Sequence, residues 1–276
     1  MVTSSRADVL ITAADLRTLL AQGPVTVLDV RWELARPDGR AEYEAGHVPG
    51  AVYVSLDDDL TDHGAEGRGR HPLPSGRAVQ DAARRWGVRD GVPVVVYDDW
   101  NRAGSARAWW VLTAAGIPAV RILDGGLAAW RSIDGELEKR TPTTVPGDVV
   151  VRHDDLYAGA LPTLTADQAA VADGLVDARA PERFRGDVEP VDPVAGHVPG
   201  AANVPSTSLL AADGTFRPDG ELAANLAGAG AAYCGSGVTA SVVVAASASV
   251  GRPLALFPGS WSQWCSEPGR PIATGD

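Results

Sequence analysis

An internal repeat constrains this chain more than any other feature of its sequence. The six residues GHVPGA occur twice, at Gly46–Ala51 and Gly196–Ala201, which lie 150 positions apart. Two further pairs of segments follow in the same order: VPVVVYD matches GAAYC, and ILDGGLAAW matches LFPGSWSQW. Chance does not readily produce several collinear matches, so the sequence predicts two copies of one structural unit.

The two copies are predicted to form two domains, at residues 5–140 and 160–276. Residues 141–159 contain several Pro and Thr residues and are predicted to be an ordered linker that wraps one domain onto the other. The offset between the copies falls from 150 at GHVPGA to 136 at the next matching strand. The first copy therefore holds about 14 extra residues, which we assign to the Gly- and charge-rich segment 60–74.

Each copy alternates helical and strand patterns. The segment TAADLRTLL predicts a short amphipathic helix capped by Thr12, and residues 78–86 place Val79, Ala82 and Trp86 on one helical face. The apolar run in VPVVVYD is typical of a central strand in a parallel sheet. The sequence thus predicts an α/β fold with two domains, each a parallel β-sheet flanked by helices.

Charge and cysteine content exclude several classes of protein. A formal net charge of −11 argues against a nucleic-acid binder and against a polybasic membrane-surface protein. The N-terminus lacks a signal-peptide pattern, and the apolar stretch 240–250 is too short to span a bilayer, so a cytoplasmic location is expected. The two cysteines, Cys234 and Cys265, are predicted to be free thiols, with Cys265 a packed one.

The segment around Cys234 carries the features expected of a reactive site. Cys234 directly follows a predicted strand, and ligands of open parallel sheets bind at the carboxyl ends of strands. The residues after it are Gly235, Ser236, Gly237, Val238 and Thr239, and a helix is predicted to begin near Thr239. A tight glycine loop and a helix N-terminus together stabilise an anion. We therefore expect a nucleophilic thiolate here rather than a cysteine that only fills space.

The heptapeptide CGSGVTA at a strand end of a duplicated α/β chain resembles the active-site loop of rhodanese-like sulfurtransferases. The resemblance is greatest to their thiosulfate and 3-mercaptopyruvate branch. It covers nearly the whole chain and includes both GHVPGA motifs, the RF-G and EP segments of the second copy, DGG-W and GSW-W. It implies two rhodanese-like domains of which only the second is catalytic, because Asp98 stands in the first copy where Cys234 stands in the second.

The resemblance also implies a double-displacement reaction. Cys234 would take a sulfur atom from a small-molecule donor as a persulfide, and cyanide, a small thiol or thioredoxin would then remove it. The loop amides of Gly235, Gly237, Val238 and Thr239 would hold the anionic sulfur. No metal and no organic cofactor is implied.

The identity of the donor is predicted from charge. Family members that favour the dianion thiosulfate place Arg and Lys after the cysteine, whereas Gly235 and Ser236 are neutral, which favours 3-mercaptopyruvate and leaves thiosulfate as the alternative. Arg183 matches the family arginine that binds the anionic group of the donor, and Arg185 either assists or is a surface charge. Mercaptopyruvate enzymes carry a second arginine after the EP pair, but this region contains Asp192, which puts the carboxylate clamp in doubt.

A proton relay is implied through Ser236. By resemblance, His47 would reach Ser236 across the domain interface, with Asp38 as a candidate partner. The alternative is a turn-stabilising role, because His197 occupies the same position of the second GHVPGA motif.

Three other functions fit the sequence less well. A phosphatase of related fold needs Cys-x5-Arg, but the sixth residue after Cys234 is Ala240. A cysteine hydrolase gains no support, because no histidine follows Cys234. A non-catalytic rhodanese binding module would suit the first copy, where Asp98 replaces cysteine, but not the second.

Overall fold

The structure is a computed structural model and describes residues 5–276. Each copy of the repeat contains its own parallel sheet, with strand order β1-β5-β4-β2-β3 in the first and β7-β6-β8-β9 in the second. The strands are β1 Leu10–Ile11, β2 Thr26–Asp29, β3 Val52–Tyr53, β4 Val94–Tyr97, β5 Val120–Leu123, β6 Leu175–Asp177, β7 Ala202–Asn203, β8 Ala231–Tyr233 and β9 Ala255–Leu256.

Helices connect the strands in both copies. They are α1 Arg6–Val9, α2 Ala13–Gln22, α3 Arg40–Ala45, α4 Leu56–Asp59, α5 Gly76–Arg85, α6 Ala103–Ala114, α7 Gly126–Ser132, α8 Ala166–Ala169, α9 Pro181–Phe184, α10 Asp219–Asn225, α11 Ala240–Ser249 and α12 Ser260–Trp264, with short 3-10 helices at Leu156–Ala158 and Ser206–Leu209. Within residues 5–276, no helix has the length and apolar character needed to cross a membrane.

The two sheets share one topology, which confirms the predicted α/β fold. Strands β2, β3, β4 and β5 of the first copy correspond in order to β6, β7, β8 and β9 of the second. The main difference is at one edge, where the position of β1 is taken in the second copy by a single parallel bridge between Thr163 and Leu256. The repeat seen in the sequence is therefore a repeat of structure.

Individual elements agree with the sequence patterns. The Thr12 side chain accepts a hydrogen bond from the Asp15 amide at 3.1 Å, so it caps α2 as predicted. Strand β4 is buried along its whole length between β2 and β5. The predicted apolar face of α5 is buried at Val79 and Ala82.

The two GHVPGA motifs form equivalent buried turns. His47 Nδ1 lies 2.8 Å from the Tyr43 carbonyl oxygen, and its ring stacks on the Tyr43 ring. His197 Nδ1 lies 2.8 Å from the Phe184 carbonyl oxygen, and its ring stacks on Phe184. Both histidines therefore stabilise equivalent turns, which is the role given above as the alternative to a proton relay through His47.

A buried ion pair follows the first long strand of each copy. Arg31 donates to the Asp29 carboxylate and Arg179 donates to Asp177, and the shortest nitrogen–oxygen distances are 2.9 Å and 2.7 Å. In each case the guanidinium also donates to the carbonyl of the first glycine of the GHVPGA motif. These pairs hold the turn against the sheet, and their role is structural.

The linker lies against the first domain. The main chain of Gly147 donates to the Arg84 carbonyl and that of Arg152 donates to the Ala115 carbonyl. The chain then enters the second domain, whose helix α11 packs on α6 of the first. One continuous apolar cluster includes residues of both domains. This packing brings parts of the first domain to the carboxyl end of β8.

Candidate active site

Cys234 directly follows β8, at the carboxyl end of the second sheet. Its main-chain N–H donates to Ser260 Oγ at 3.1 Å, and its carbonyl accepts from the Trp261 N–H at 2.9 Å. The Gly237 N–H donates to Cys234 Sγ at 3.1 Å. A main-chain donor therefore faces the sulfur, as the glycine loop predicted, and α11 begins just beyond it and directs its positive end toward the loop.

The two glycines of the loop allow close approaches that a side chain would prevent. Gly237 has φ +81°, and a Cβ there would lie 2.5 Å from the Pro258 carbonyl oxygen. A Cβ at Gly235 would lie 3.0 Å from Arg70 Nη2 and 3.5 Å from Arg183 Nη1. Two guanidinium groups thus stand over the loop that follows Cys234.

The Cys234 side chain is 2% exposed, but it lines a small pocket between the domains. The pocket is lined by Trp32, Leu34, Arg70 and Asn101 of the first domain and by Arg183, Cys234, Gly235, Ser236, Val238 and Thr239 of the second. Its volume of about 70 Å³ suits a donor of few heavy atoms. The sulfur is therefore recessed yet faces a space that a small molecule can enter.

Ser236 is paired with a histidine of the first domain. His71 Nδ1 lies 2.7 Å from Ser236 Oγ, and His71 Nε2 lies 3.3 Å from Asp57 Oδ1. The edge of the Trp32 ring packs against the imidazole, with 5.6 Å between ring centroids. Serine, histidine and aspartate thus form a chain of polar contacts that ends two residues from Cys234.

Burial sets the protonation state of this chain. Burial lowers the pKa of His71 below its usual value, against the opposing effect of Asp57. The contact with His71 lowers the pKa of Asp57. At neutral pH the imidazole is therefore neutral, and we assign its proton to Nε2, on the Asp57 side, which leaves Nδ1 to accept from the Ser236 hydroxyl. Asp57 Oδ1 lies 3.3 Å from Nε2 and accepts no well-aligned hydrogen bond within residues 5–276.

The relay role that the resemblance suggested for His47 is not supported by the geometry. His47 is fully buried in its own turn, with Nδ1 on Tyr43, and the histidine at Ser236 is His71. Asp38 accepts from the Tyr53 hydroxyl and does not contact a histidine. His71 lies in segment 60–74, which has no counterpart in the second copy.

Arg107 on α6 holds the segment that carries His71. Its Nη2 donates to the carbonyls of Leu60 and His71 at 3.1 Å and 2.9 Å. The side chain is completely buried, and burial lowers its pKa to about 10, so it stays charged at neutral pH. No carboxylate pairs with it within residues 5–276, and its Nε and Nη1 have no hydrogen-bond partner there.

The two arginines predicted in the second copy have different surroundings. Arg183 is 14% exposed, donates to Glu189 Oε1 at 2.6 Å and lines the Cys234 pocket. Arg185 is 36% exposed and donates to Asp187 at 2.8 Å. The structure therefore brings Arg183 to the site and leaves Arg185 in a surface pair outside the Cys234 pocket.

Four residues of the first domain at this site were missed by reading the sequence: Asp57, Arg70, His71 and Arg107. Two of them belong to the RGRH sequence of segment 60–74. One sequence feature could have pointed to them: this polar segment is present in one copy only. Loop insertions of this kind often carry functional residues.

Both halves of the chain are similar to known proteins. The Rhodanese-like domain family matches residues 12–133 and 161–267. The SseB protein of Mycobacterium tuberculosis, provisionally named a thiosulfate sulfurtransferase, is 61% identical over 98% of this chain and 99% of its own. The 3-mercaptopyruvate sulfurtransferase of Escherichia coli is 34% identical over 90% of this chain and 92% of its own.

Solved structures agree with these matches. The 3-mercaptopyruvate sulfurtransferase from Leishmania major superposes with a TM-score of 0.82 at 28% identity, covering 95% of this chain and 76% of the other. The similarity thus extends over both domains.

Proposed function

This chain belongs to the rhodanese family as a tandem-domain sulfurtransferase, and we propose that it moves a sulfur atom from 3-mercaptopyruvate to a thiophilic acceptor through a persulfide on Cys234. The observation that carries the proposal is the 2.7 Å contact between Ser236 and His71 beside the glycine loop. This contact supplies a proton relay, which a donor with a carbon leaving group requires.

In the first half-reaction the Cys234 thiolate attacks the sulfur of 3-mercaptopyruvate. A sulfur–sulfur bond forms, the carbon–sulfur bond breaks, and the electron pair remains on the departing carbon as the enolate of pyruvate. The proton of the donor thiol ends on that carbon, so the products are pyruvate and the Cys234 persulfide anion. The Gly237 N–H lies 3.1 Å from Sγ and stabilises the negative charge that Sγ carries as the attacking thiolate.

The relay moves that proton. Neutral His71 can accept a proton at Nδ1 through the Ser236 hydroxyl while Asp57 stabilises the imidazolium that results. The proton then returns through Ser236 to the enolate carbon. Arg107 fixes the His71 main chain during these steps, since its Nη2 donates to the His71 carbonyl.

In the second half-reaction the acceptor removes the outer sulfur. Cyanide takes it as thiocyanate and regenerates the Cys234 thiolate, with charge balanced on the two sides. A small thiol or thioredoxin would instead leave as a persulfide. The pocket between the domains gives such acceptors one route to the sulfur, so the kinetics are expected to be ping-pong.

Thiosulfate is the second candidate donor, and one observation favours it. Arg70 and Arg183 both line the pocket, and two cations suit a doubly charged donor. Against it, Gly235 and Ser236 are neutral, and sulfite leaves thiosulfate without needing a proton, so the relay would have no task. We therefore place 3-mercaptopyruvate first.

Two measurements test the proposal. Incubation with 3-mercaptopyruvate should increase the protein mass by one sulfur atom, and the increase should be absent in Cys234→Ser and present in Cys265→Ser. Steady-state assays with both donors should give the larger kcat/KM for 3-mercaptopyruvate. A larger value for thiosulfate would overturn the donor assignment, and absence of the mass increase with either donor would overturn the persulfide.

A further inference from the structure

We propose that the Asp192 carboxylate acts as an internal competitor for the anionic group of the donor and makes the site select singly charged over doubly charged donors. The inference deepens the proposed function and rests on it for the location of the donor. It assigns a role to the residue that stands in the region where mercaptopyruvate enzymes have a second arginine.

The Asp192 side chain bridges two arginines that come from different domains. Its Oδ1 accepts from Arg70 Nη1 of the first domain, and its Oδ2 lies 3.6 Å from Arg183 Nη2 of the second. The side chain is only 4% exposed. Its Oδ2 is buried and accepts no hydrogen bond from residues 5–276, which leaves part of this carboxylate poorly satisfied.

The same two arginines are the ones that face the reacting sulfur. Both line the pocket that contains Cys234, and both stand within 3.5 Å of a Cβ built at Gly235. An anionic donor positioned for attack therefore meets Arg70 and Arg183, the two partners that Asp192 already holds. The donor and Asp192 therefore compete for the hydrogen bond of Arg70 and for the charge of Arg183, whose own hydrogen bonds go to Glu189.

Asp192 can give up these partners without unfolding its segment. Its main-chain N–H and that of Val191 donate to Glu189 Oε1 at 3.0 Å and 3.1 Å, which holds the backbone in place. No other side chain of residues 5–276 bonds its carboxylate. A rotation of this side chain alone would free Arg70 and would remove the Asp192 charge from beside Arg183, which stays bound to Glu189.

The charge balance makes the competition selective. Arg70 and Arg183 contribute two positive charges, and Glu189 and Asp192 contribute two negative ones. These four side chains together carry no net charge. Removing the Asp192 charge leaves one positive charge, and its attraction for a dianion is twice that for a monoanion.

The test uses Asp192→Asn in the full-length protein. In the Cys234→Ser background, which cannot turn over, calorimetric titration measures the affinity for thiosulfate and for pyruvate. We expect thiosulfate binding to tighten about tenfold and pyruvate binding about threefold, since the energy scales with the charge of the ligand. With Cys234 present, the ratio of kcat/KM for thiosulfate over 3-mercaptopyruvate should rise about threefold.

Matched variants separate charge from shape. Asp192→Glu keeps the charge and should keep the wild-type ratio, and Asp187→Asn, which removes an acid outside the pocket, should change neither donor. Asp192→Ser serves in place of Asp192→Asn if the latter does not fold. Equal gains for both ligands, no gain, or the same shift in Asp192→Glu would overturn the inference. Absence of turnover with 3-mercaptopyruvate would instead count against the proposed function, because the binding titrations do not depend on it.

Discussion

The loops that follow β4 and β8 occupy equivalent positions in the two domains but begin with different residues, Asp98 and Cys234. In the first domain, Asp98 Oδ1 accepts the Trp100 N–H at 2.9 Å and Oδ2 accepts the Ser105 hydroxyl at 2.6 Å. Arg102 completes this arrangement with a buried ion pair to Asp98 at 3.1 Å. In the second domain, Cys234 stands at the position of Asp98, and Gly237 donates to its sulfur.

The same backbone position therefore meets main-chain N–H donors in both domains. In the first domain this position is occupied by the Asp98 carboxylate, which is paired with the Arg102 guanidinium. At an offset of 136, Arg102 corresponds to Val238, so the second domain lacks the internal cation. Under the proposed function, the negative charge in this loop would come from the Cys234 thiolate and the transferred sulfur.

The residue that begins the last helix of each domain also differs according to what the neighbouring loop contains. A Cβ at Gly126 of the first domain would lie 1.7 Å from Arg102 Nη1, so glycine makes room for the guanidinium. The equivalent residue of the second domain is Ser260, which adopts φ +53° and whose hydroxyl accepts the Cys234 N–H. A non-glycine residue in this left-handed conformation costs about 1–3 kcal/mol and is retained where it orients a functional group.

The largest effect is expected when the second loop receives the aspartate that the first loop has at the equivalent position. Cys234→Asp removes the nucleophile, so we expect sulfur transfer to fall by about 10⁴-fold or more. The variant should also lose stability, because Val238 offers no counter-charge. The triple variant Cys234→Asp, Val238→Arg, Ser260→Gly rebuilds the pair of the first loop, and its Tm should exceed that of Cys234→Asp. An equal or lower Tm would contradict the equivalence of the loops.

Removing the relay histidine should separate the two donors. His71→Gln leaves Ser236 without a base, and we expect kcat with 3-mercaptopyruvate to fall by about 10²-fold or more. Transfer from thiosulfate should change by less than about tenfold, since sulfite leaves without a proton. His47→Gln is the matched control, because its ring bonds only within its own turn. A larger loss in that variant would restore His47 as the relay candidate.

The Asp98–Arg102 pair in the loop of the first domain should contribute to the stability of the protein and not to sulfur transfer. Asp98→Ala leaves the Arg102 guanidinium buried without its partner, and we expect a loss of about 3–5 kcal/mol in the free energy of unfolding. Denaturant titration of Asp98→Ala against Cys234→Ser measures the contrast, since the latter should cost far less. Similar losses in both variants would mean that the two loops do not differ in this way.

The smallest expected effect concerns pH. Burial lowers the pKa of His71 below its usual value of about 6.5. Because the neutral imidazole is the active form, kcat/KM with 3-mercaptopyruvate should fall only at pH values below that range. Asp57 opposes the shift, so Asp57→Asn should move this acidic limb to still lower pH. A limb that moves to higher pH would contradict the assigned contact.

Reading the sequence was successful where a pattern lies within one copy. The repeat, the two parallel sheets and the Cys234 loop depend on neighbours in sequence, and the structure confirms the fold. Arg183 likewise lies in the same domain as the cysteine. The geometry favours the turn-stabilising alternative for His47, because both copies place this histidine on a main-chain carbonyl of the same turn.

Hydrophobic periodicity and glycine placement act locally, so the two related sheets and the glycine loop after Cys234 could be predicted from the sequence. The groups that surround the thiol depend on how the two domains pack. His71 meets Ser236 across 165 residues and Arg70 meets Asp192 across 122, and no local pattern encodes either contact. Both arise because burial of apolar surface between α6 and α11 fixes how the first domain lies on the second.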